Sequence, residues 1–179
     1  MRDMLPLKCR KSFDLWCYPL DVLPDEAEPF EDIVELWRSR RGDEAIPRRS
    51  AFDFGDFMGW HAWMGLSKVD DDGVLCFGFV GEEFKRCFGK GVKSGSRVID
   101  VADEISSQEF ERYFTSIMSE PCAGYFTGKL PFANSSFIRV KILDLPLADN
   151  AGRPRHVLHL LYIQDRVAQG KHQSMSMAQ

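Results

Sequence analysis

Two apolar runs joined by a tight turn, residues 136–163 with the sequence "SFIRVKILDLPLADNAGRPRHVLHLLYI", decide the fold of this chain. Branched and large apolar residues, which favour strands, fill "SFIRVKILDLPL" and "RHVLHLLYI". The intervening "ADNAGR" holds the Asp, Asn and Gly that turns prefer. The stretch therefore predicts two adjacent strands of an antiparallel sheet.

Three more strand-like runs precede this pair. "WHAWMGLSKV" (60–69) and "VLCFGFV" (74–80) flank the turn "DDDG" (70–73), and "AGYFTGKLPF" covers residues 123–132. The first two predict a β-hairpin in which Leu75, Phe77 and Phe79 alternate onto one face. Five strands joined mainly by local connections indicate an antiparallel sheet.

Three segments have helical periodicity. The first lies between Pro29, which suits a first turn, and Gly42, which suits a C-terminal cap; its apolar stripe is Phe30, Ile33, Val34 and Trp37. The second, "GEEFKRCFG", is a short helix ended by Gly89. The third begins with a capping box at Ser106 and Glu109 and stops at Pro121; its stripe is Phe110, Tyr113, Phe114 and Ile117.

Together these elements predict an α+β domain, a five-stranded antiparallel sheet with helices packed on one face. We assign residues 29–165 to this domain. Residues 1–28 form a helical N-terminal extension with an acidic, proline-bearing connector, and residues 166–179, poor in apolar side chains, form a disordered tail.

The composition narrows the possible functions. Acidic residues outnumber basic ones 27 to 23 and the pI is about 5.6, so a broad nucleic-acid surface is not expected. No run approaches the roughly 20 apolar residues of a membrane span, and the N-terminus lacks a signal-peptide pattern. The five cysteines show no CxxC spacing, which argues against a zinc site or a disulfide framework. A soluble cytoplasmic protein is the simplest expectation.

Possible reactive residues each have a structural alternative. Cys87, beside Lys85 and Arg86, is a candidate nucleophile, but a buried small hydrophobe is preferred. His159 is a candidate core-facing imidazole, pointing to the opposite face from His156 on the same strand. The glycine-rich "GKGVKSGS" (89–96) lacks the spacing of a phosphate loop and is interpreted as a connection. No catalytic or metal-binding residue is assigned.

Several stretches taken together resemble a bacterial family of single-domain PAS-like proteins. The resemblance starts at Trp37 and includes "RRGDEAIPRRSAFD" (40–53) and "FGFVGEEFKRCFGKGVKSGSRVIDV" (77–101). It ends with "LPL" (145–147) before the last strand. The positions that fall on the family's pattern are Trp37, Arg41, Gly42, Pro47, Arg49, Asp53, Gly81, Phe88, Gly89, Gly95 and Pro146.

This resemblance implies a PAS-type fold whose central cleft holds a small ligand or serves as a docking surface. Aromatic residues make up 12% of the chain and either line that cleft or fill the core. The pocket candidates are Trp63, Phe77, Phe79, Phe84, Phe114, Tyr125 and His159. The flavin-attacking cysteine motif and the haem-binding helix histidine known in PAS sensors are not seen, so neither cofactor is expected and the ligand stays unknown.

The leading functional hypothesis is a non-enzymatic sensory or regulatory module that binds a small apolar ligand or a protein partner, with a homodimer as the expected assembly. Contact surfaces would be the outer sheet face and an N-terminal docking element, unless that segment only covers its own sheet; its apolar residues are Leu5, Leu7, Phe13, Leu15 and Trp16. One alternative is a small enzyme using Cys87 or His159 in the cleft.

The other alternative is an anion or nucleotide binder that uses Arg48 and Arg49. Three further arginines, Arg38, Arg40 and Arg41, lie in the last turn of the first helix, where they complement the helix dipole. The family resemblance implies that Arg49 pairs with Asp53 and pins the helix to the sheet, which leaves only Arg48 without a structural role.

Overall fold

The computed structural model describes residues 13–22, 25–89, 91–101, 104–130 and 138–164. Its regular elements, in chain order, are β1 (Phe13–Tyr18), α1 (Glu31–Arg41), β2 (Met64–Val69), β3 (Leu75–Val80), α2 (Glu82–Phe88), α3 (Glu104–Ser119), β4 (Ala123–Lys129), β5 (Arg139–Ala148) and β6 (Pro154–Ile163). The five predicted strands and three predicted helices are all present. Helix α3 begins two residues before the predicted capping position Ser106.

The strands form one antiparallel sheet of six strands in the order β1-β4-β5-β6-β2-β3. The α+β prediction is confirmed, but the sheet has one strand more than expected. The extra strand β1 comes from the N-terminal extension and pairs along β4, from Phe13 opposite Gly128 to Tyr18 opposite Ala123. The prediction of a helical extension is therefore wrong for residues 13–18, where Phe13 and Leu15 alternate with exposed Asp14 as in a strand.

Helices cover both faces of the sheet, which corrects the expectation that they lie on one. Helices α2 and α3 pack on the face that carries Val140 and Ile142, whereas α1 packs on the face that carries Leu143 and Leu145. The central strands β5 and β6 are apolar on both faces. Both faces must therefore be shielded from water.

Helix α1 packs through its buried stripe on the sheet face that carries Leu143 and Leu145, which we call the outer face. Ile33, Val34 and Trp37 are buried there, and the indole Nε1 of Trp37 donates a hydrogen bond to the Pro146 carbonyl at 3.1 Å. The acidic first turn and the last-turn arginines Arg38, Arg40 and Arg41 are confirmed in the predicted places. The helix ends at Arg41, and the residue that caps it is Gly42, whose φ of 58° favours glycine.

The arginine-rich segment after α1 is held differently from the expected Arg49–Asp53 pair. Arg49 Nη1 donates to the Phe52 carbonyl at 2.8 Å, while Asp53 Oδ1 accepts the Asp56 amide at 3.1 Å. The expected pair is wrong because Asp53 caps the short turn that follows it. Arg48 lies 3.6 Å from Glu44 across an exposed ion pair. Both arginines are thus engaged within their own segment.

Pro47 and Gly81, two positions of the family's pattern, lie in connections between the helices and strands. Pro47 accepts the amide of Ala148 at 2.9 Å through its carbonyl, which joins the segment after α1 to the end of β5. At Gly81, between β3 and α2, an added Cβ would fall 2.5 Å from the Ala62 carbonyl oxygen and closer still to that of His61. Only glycine fits this crossing without moving the backbone.

His156 lies on the outer face near Arg49. Its protonation leads to a prediction about how the stability of the protein depends on pH. Burial, then the nearby positive charges of Arg49 and Lys68, hold the pKa of His156 below its usual value of 6.5. As pH falls below about 6.5, the unfolded chain takes up a proton that the folded His156 resists, so the free energy of unfolding should fall.

A His156→Gln variant should lose part of this acid sensitivity. Urea unfolding at pH 7.5 and pH 5.5 should show a smaller difference in stability for the variant than for the wild type. Equal differences in the two proteins would contradict the assignment to His156.

Candidate functional site

A small cavity lies between the sheet and helices α2 and α3. Its volume is about 30 Å³, enough for one or two water molecules. The lining residues are Phe77, Phe84, Phe88, Val98, Val101, Phe110, Phe114, Phe126, Leu130, Ile142, Asp144 and His159. Ten of these twelve side chains are apolar, and six are phenylalanines, so an apolar occupant fits this site best.

Helical spacing brings four of the phenylalanines to the cavity. Phe84 and Phe88 are one turn apart on α2, and Phe110 and Phe114 are one turn apart on α3. The Phe84 and Phe88 rings stack with centroids 4.6 Å apart. The two helices therefore each present a pair of rings to the sheet.

The imidazole of His159, on β6, is surrounded by aromatic rings. Its centroid lies 5.4 Å from that of Phe77, 5.8 Å from that of Phe114 and 6.3 Å from that of Phe84. The side chain is 2% exposed. The ring thus forms part of the cavity wall at the centre of the sheet.

A chain of four polar side chains is buried behind this wall. His159 Nδ1 lies 2.6 Å from Asp144 Oδ1, and the Tyr113 hydroxyl donates to Asp144 Oδ2 at 2.6 Å. On its other side, His159 Nε2 lies 2.7 Å from the Ser67 hydroxyl. Each of the four side chains is at most 3% exposed. The chain runs from α3 through β5 and β6 to β2.

Burial fixes the protonation of one member of this chain. Burial, followed by the charge of Asp144 and the hydrogen bond to it, raises the pKa of Tyr113 well above its usual value of 10.0. The Tyr113 hydroxyl therefore keeps its proton and remains a donor to Asp144.

The order Ser67–His159–Asp144 has the contacts of a hydrolase relay, but it lacks access for a substrate. Ser67 is completely buried and does not line the cavity. A serine nucleophile must reach the substrate carbonyl beside hydrogen-bond donors that stabilise the oxyanion. These hydrogen bonds connect three strands to helix α3. They leave the Ser67 hydroxyl where a substrate does not reach it.

Four of the seven pocket candidates from the sequence line this cavity: Phe77, Phe84, Phe114 and His159. Trp63 packs against the same cluster without lining the cavity. Phe79 and Tyr125 lie on the outer face, within the cluster around α1.

The position of Phe79 corrects the expected alternation in β3. The pairing of β2 with β3 shifts register, since Leu66 opposes Phe79 whereas the next residue, Ser67, opposes Phe77. Gly78 is the extra residue of this β-bulge, which turns Phe79 to the opposite face from Phe77.

Asp144, Ser67 and Tyr113 were missed as polar site residues. A signal for Asp144 exists in the sequence, because it and His159 are isolated polar residues within the two apolar runs of the last hairpin. The hairpin register places them directly opposite each other. Ser67 and Tyr113 carry no comparable sequence signal.

The remaining candidates do not form a second site. Cys87 is 1% exposed within the cluster around α2 and α3. Within the described residues, no group of three or more His, Cys, Asp or Glu side chains is arranged to hold a metal ion.

None of the helices in the described part of the chain is long and apolar enough to cross a bilayer.

A family described as "PAS domain" matches residues 26–162 of the chain. The chain belongs to the PAS domain family. The resemblance seen in the sequence is thereby confirmed. Strands β2 to β5 of this PAS domain lie within the matched residues, whereas β1 lies outside them.

Two solved structures are similar to this PAS domain in fold. The crystal structure of a sensory box sensor histidine kinase from Vibrio cholerae aligns at 16% identity and a TM-score of 0.41, over 57% of this chain and 80% of that one. An RNA-binding light-oxygen-voltage receptor aligns at 15% identity and a TM-score of 0.49, over 93% of this chain and 44% of that one. A search of curated proteins gives no match.

Proposed function

We propose that this PAS domain is a non-enzymatic sensory module that binds a small apolar ligand in the cavity between the sheet and helices α2 and α3. PAS domains are typically sensory modules without enzyme activity. The observation that supports the ligand is the phenylalanine-lined cavity, which borders the buried chain at Asp144 and His159.

The size of the cavity sets a requirement for binding. A volume of about 30 Å³ is well below the roughly 300 Å³ of a drug-sized pocket, so a larger ligand must displace a lining side chain. Phe88 is the best placed, since it is half-buried at the end of α2 and borders Gly89, whose φ is 90°. Ligand entry would then move the end of α2.

The buried chain offers a route by which an occupied cavity is sensed elsewhere. Asp144 and His159 border the cavity, and their hydrogen bonds continue to Tyr113 on α3 and Ser67 on β2. A ligand that shifts either of the first two side chains must strain these bonds. The proposed output is a change in the position of α3 or of the β2–β3 edge.

Native mass spectrometry of the purified full chain tests the ligand. The wild type should carry a non-covalent adduct, and Val98→Leu, which fills the cavity, should lose it. Val34→Leu, at a buried valine on the outer face, is the matched control and should keep it. A wild type that carries no adduct and gains no thermal stability from added indole or toluene would refute the ligand proposal.

A second copy of the chain is the proposed partner. Phe54 and Met58, at either end of the short turn before β2, are 61% and 81% exposed. They are two of the three large apolar side chains that are exposed in the described part of the chain, and a second copy that covers them would remove this apolar surface from water. The same mass spectra read the oligomeric state: a dimer that Met58→Glu dissociates supports this surface, and a monomer at micromolar concentration contradicts it.

The alternatives have less support. An enzyme that uses Cys87 or His159 would need a substrate to reach side chains that are 1% and 2% exposed. An anion site at Arg48 and Arg49 would compete with Glu44 and the Phe52 carbonyl. The proposal also places the protein in the cytoplasm, because the number and spacing of its five cysteines suggest no disulfide framework.

A further inference from the structure

Two half-buried cysteines meet where β1 joins the sheet. Cys17 lies in β1 opposite Gly124, and Cys122 lies two residues before Gly124, just ahead of β4. Since strand side chains alternate, Cys17 and Cys122 belong to the same face. Both pack against the hydrophobic cluster around α2 and α3. Diagonal neighbours of this kind on paired strands are about 7–8 Å apart, slightly more than the Cα atoms of a typical disulfide, so the segment ahead of β4 must move toward β1 for the bond to form.

The two thiols also interact with each other. The hydrogen bond with Cys122 lowers the pKa of Cys17, against the opposing effects of burial and of Asp144. The same contact, together with burial, raises the pKa of Cys122. Opposite shifts of this kind arise when one thiol donates its proton to the other. Cys17 is therefore the first of the two to become a nucleophilic thiolate.

We propose that Cys17 and Cys122 are a redox site that forms a reversible disulfide on exposure to a peroxide, tying β1 to β4. The Cys17 thiolate attacks a peroxide oxygen, the O–O bond breaks, and Cys17 becomes a sulfenic acid while the leaving oxygen departs as water or an alcohol. The Cys122 sulfur then attacks the sulfenic sulfur, and the S–O bond breaks with release of water. The two thiols lose two electrons in total, which the peroxide gains.

The position of β1 gives this disulfide a structural consequence. β1 lies at the edge of the sheet and outside the residues that match the PAS family. Its Phe13 packs on Phe110 of α3 with ring centroids 5.8 Å apart, and Phe110 lines the cavity. Oxidation would thus fix the strand that supports one wall of the ligand site. It would also close a loop of about 100 residues, which favours the folded state.

Peptide mapping of the full chain tests the site. Reduced wild-type protein is treated with hydrogen peroxide, its free thiols are alkylated, and it is digested without reductant. A peptide that joins Cys17 to Cys122 should appear and should disappear on treatment with a phosphine reductant. The oxidised protein should melt about 5–10 °C higher than the reduced protein.

Single serine variants separate this pair from other thiol chemistry. Cys17→Ser and Cys122→Ser should each abolish the linked peptide and the rise in melting temperature, whereas Cys76→Ser, at another half-buried cysteine, should keep both. Sulfinic acid at Cys17, a disulfide to Cys9, or links between chains in place of the Cys17–Cys122 peptide would each overturn the proposal. These readouts require no ligand, so they stand apart from the test of the cavity.

Discussion

Replacing Asp144 with alanine should lower the free energy of unfolding by about 3–5 kcal/mol, the largest expected effect of a polar substitution in this protein. Asp144 bonds both His159 and Tyr113, and all three side chains are at most 3% exposed. Without the carboxyl group, Nδ1 of His159 and the hydroxyl of Tyr113 lose their partners, and two buried polar groups are left unpaired. Urea unfolding of the two proteins at neutral pH measures the loss.

Two milder variants distinguish lost hydrogen bonds from lost volume. Asp144→Asn keeps the shape and can bond both neighbours, so it should cost about 1–2 kcal/mol. Tyr113→Phe removes one hydroxyl and should cost a similar amount. In a double-mutant cycle, Tyr113→Phe should cost much less in the Asp144→Ala background than in the wild type. Additive effects, or an Asp144→Ala protein as stable as the wild type, would show that the buried chain does not act as a unit.

The strand and helix order could be predicted from the sequence because it depends on local signals. The "ADNAGR" turn and the "DDDG" turn each connect two apolar runs, and the structure has hairpins at both. In the second of these turns, the side chain of Asp70 accepts the amides of Asp72 and Val74 at 3.0 and 2.8 Å. Such turn chemistry lies within a few residues and is visible without a structure.

The features that the sequence did not predict depend on contacts between distant segments. The bulge at Gly78 shifts the face of Phe79 and follows from the pairing of β3 with β2. The pairing of β1 with β4 joins residues about 110 positions apart, and nothing in "FDLWCY" indicates that partner. Arg49 donates a hydrogen bond to the Phe52 carbonyl and does not pair with Asp53, because the Asp53 carboxylate caps the next turn. Leu5 and Leu7, two of the five apolar residues of the predicted docking element, lie outside the described residues.

The candidate site could be predicted only in part for the same reason, because its residues come together through contacts between distant segments. The aromatic residues could be selected because large apolar side chains gather in any core, but their sorting between the two faces required the register. Tyr125 and Phe126 are adjacent in β4, yet one belongs to the cluster around α1 and the other lines the cavity. A single-residue error in register exchanges them. The composition of the cavity wall therefore depends on the complete set of strand pairings.

Trp37 provides the second large effect, on the opposite face of the sheet. Trp37→Ala should cost about 3–5 kcal/mol, since the indole is 1% exposed between α1 and the sheet. Trp37→Phe keeps a ring but loses the bond to the Pro146 carbonyl, and should cost about 1–2 kcal/mol more than the smaller ring alone explains. Chemical denaturation of both variants gives the two values.

The effect of Trp37→Ala on the cavity separates the roles of the two faces. The cavity and α1 lie on opposite faces of the sheet, so ligand binding should survive in the fraction of the variant that stays folded. Asp144→Ala should weaken the same adduct, because Asp144 lines the cavity. If Trp37→Ala removed the adduct at a temperature where the protein remains folded, the two faces would be coupled through the sheet, and α1 would belong to the sensing mechanism.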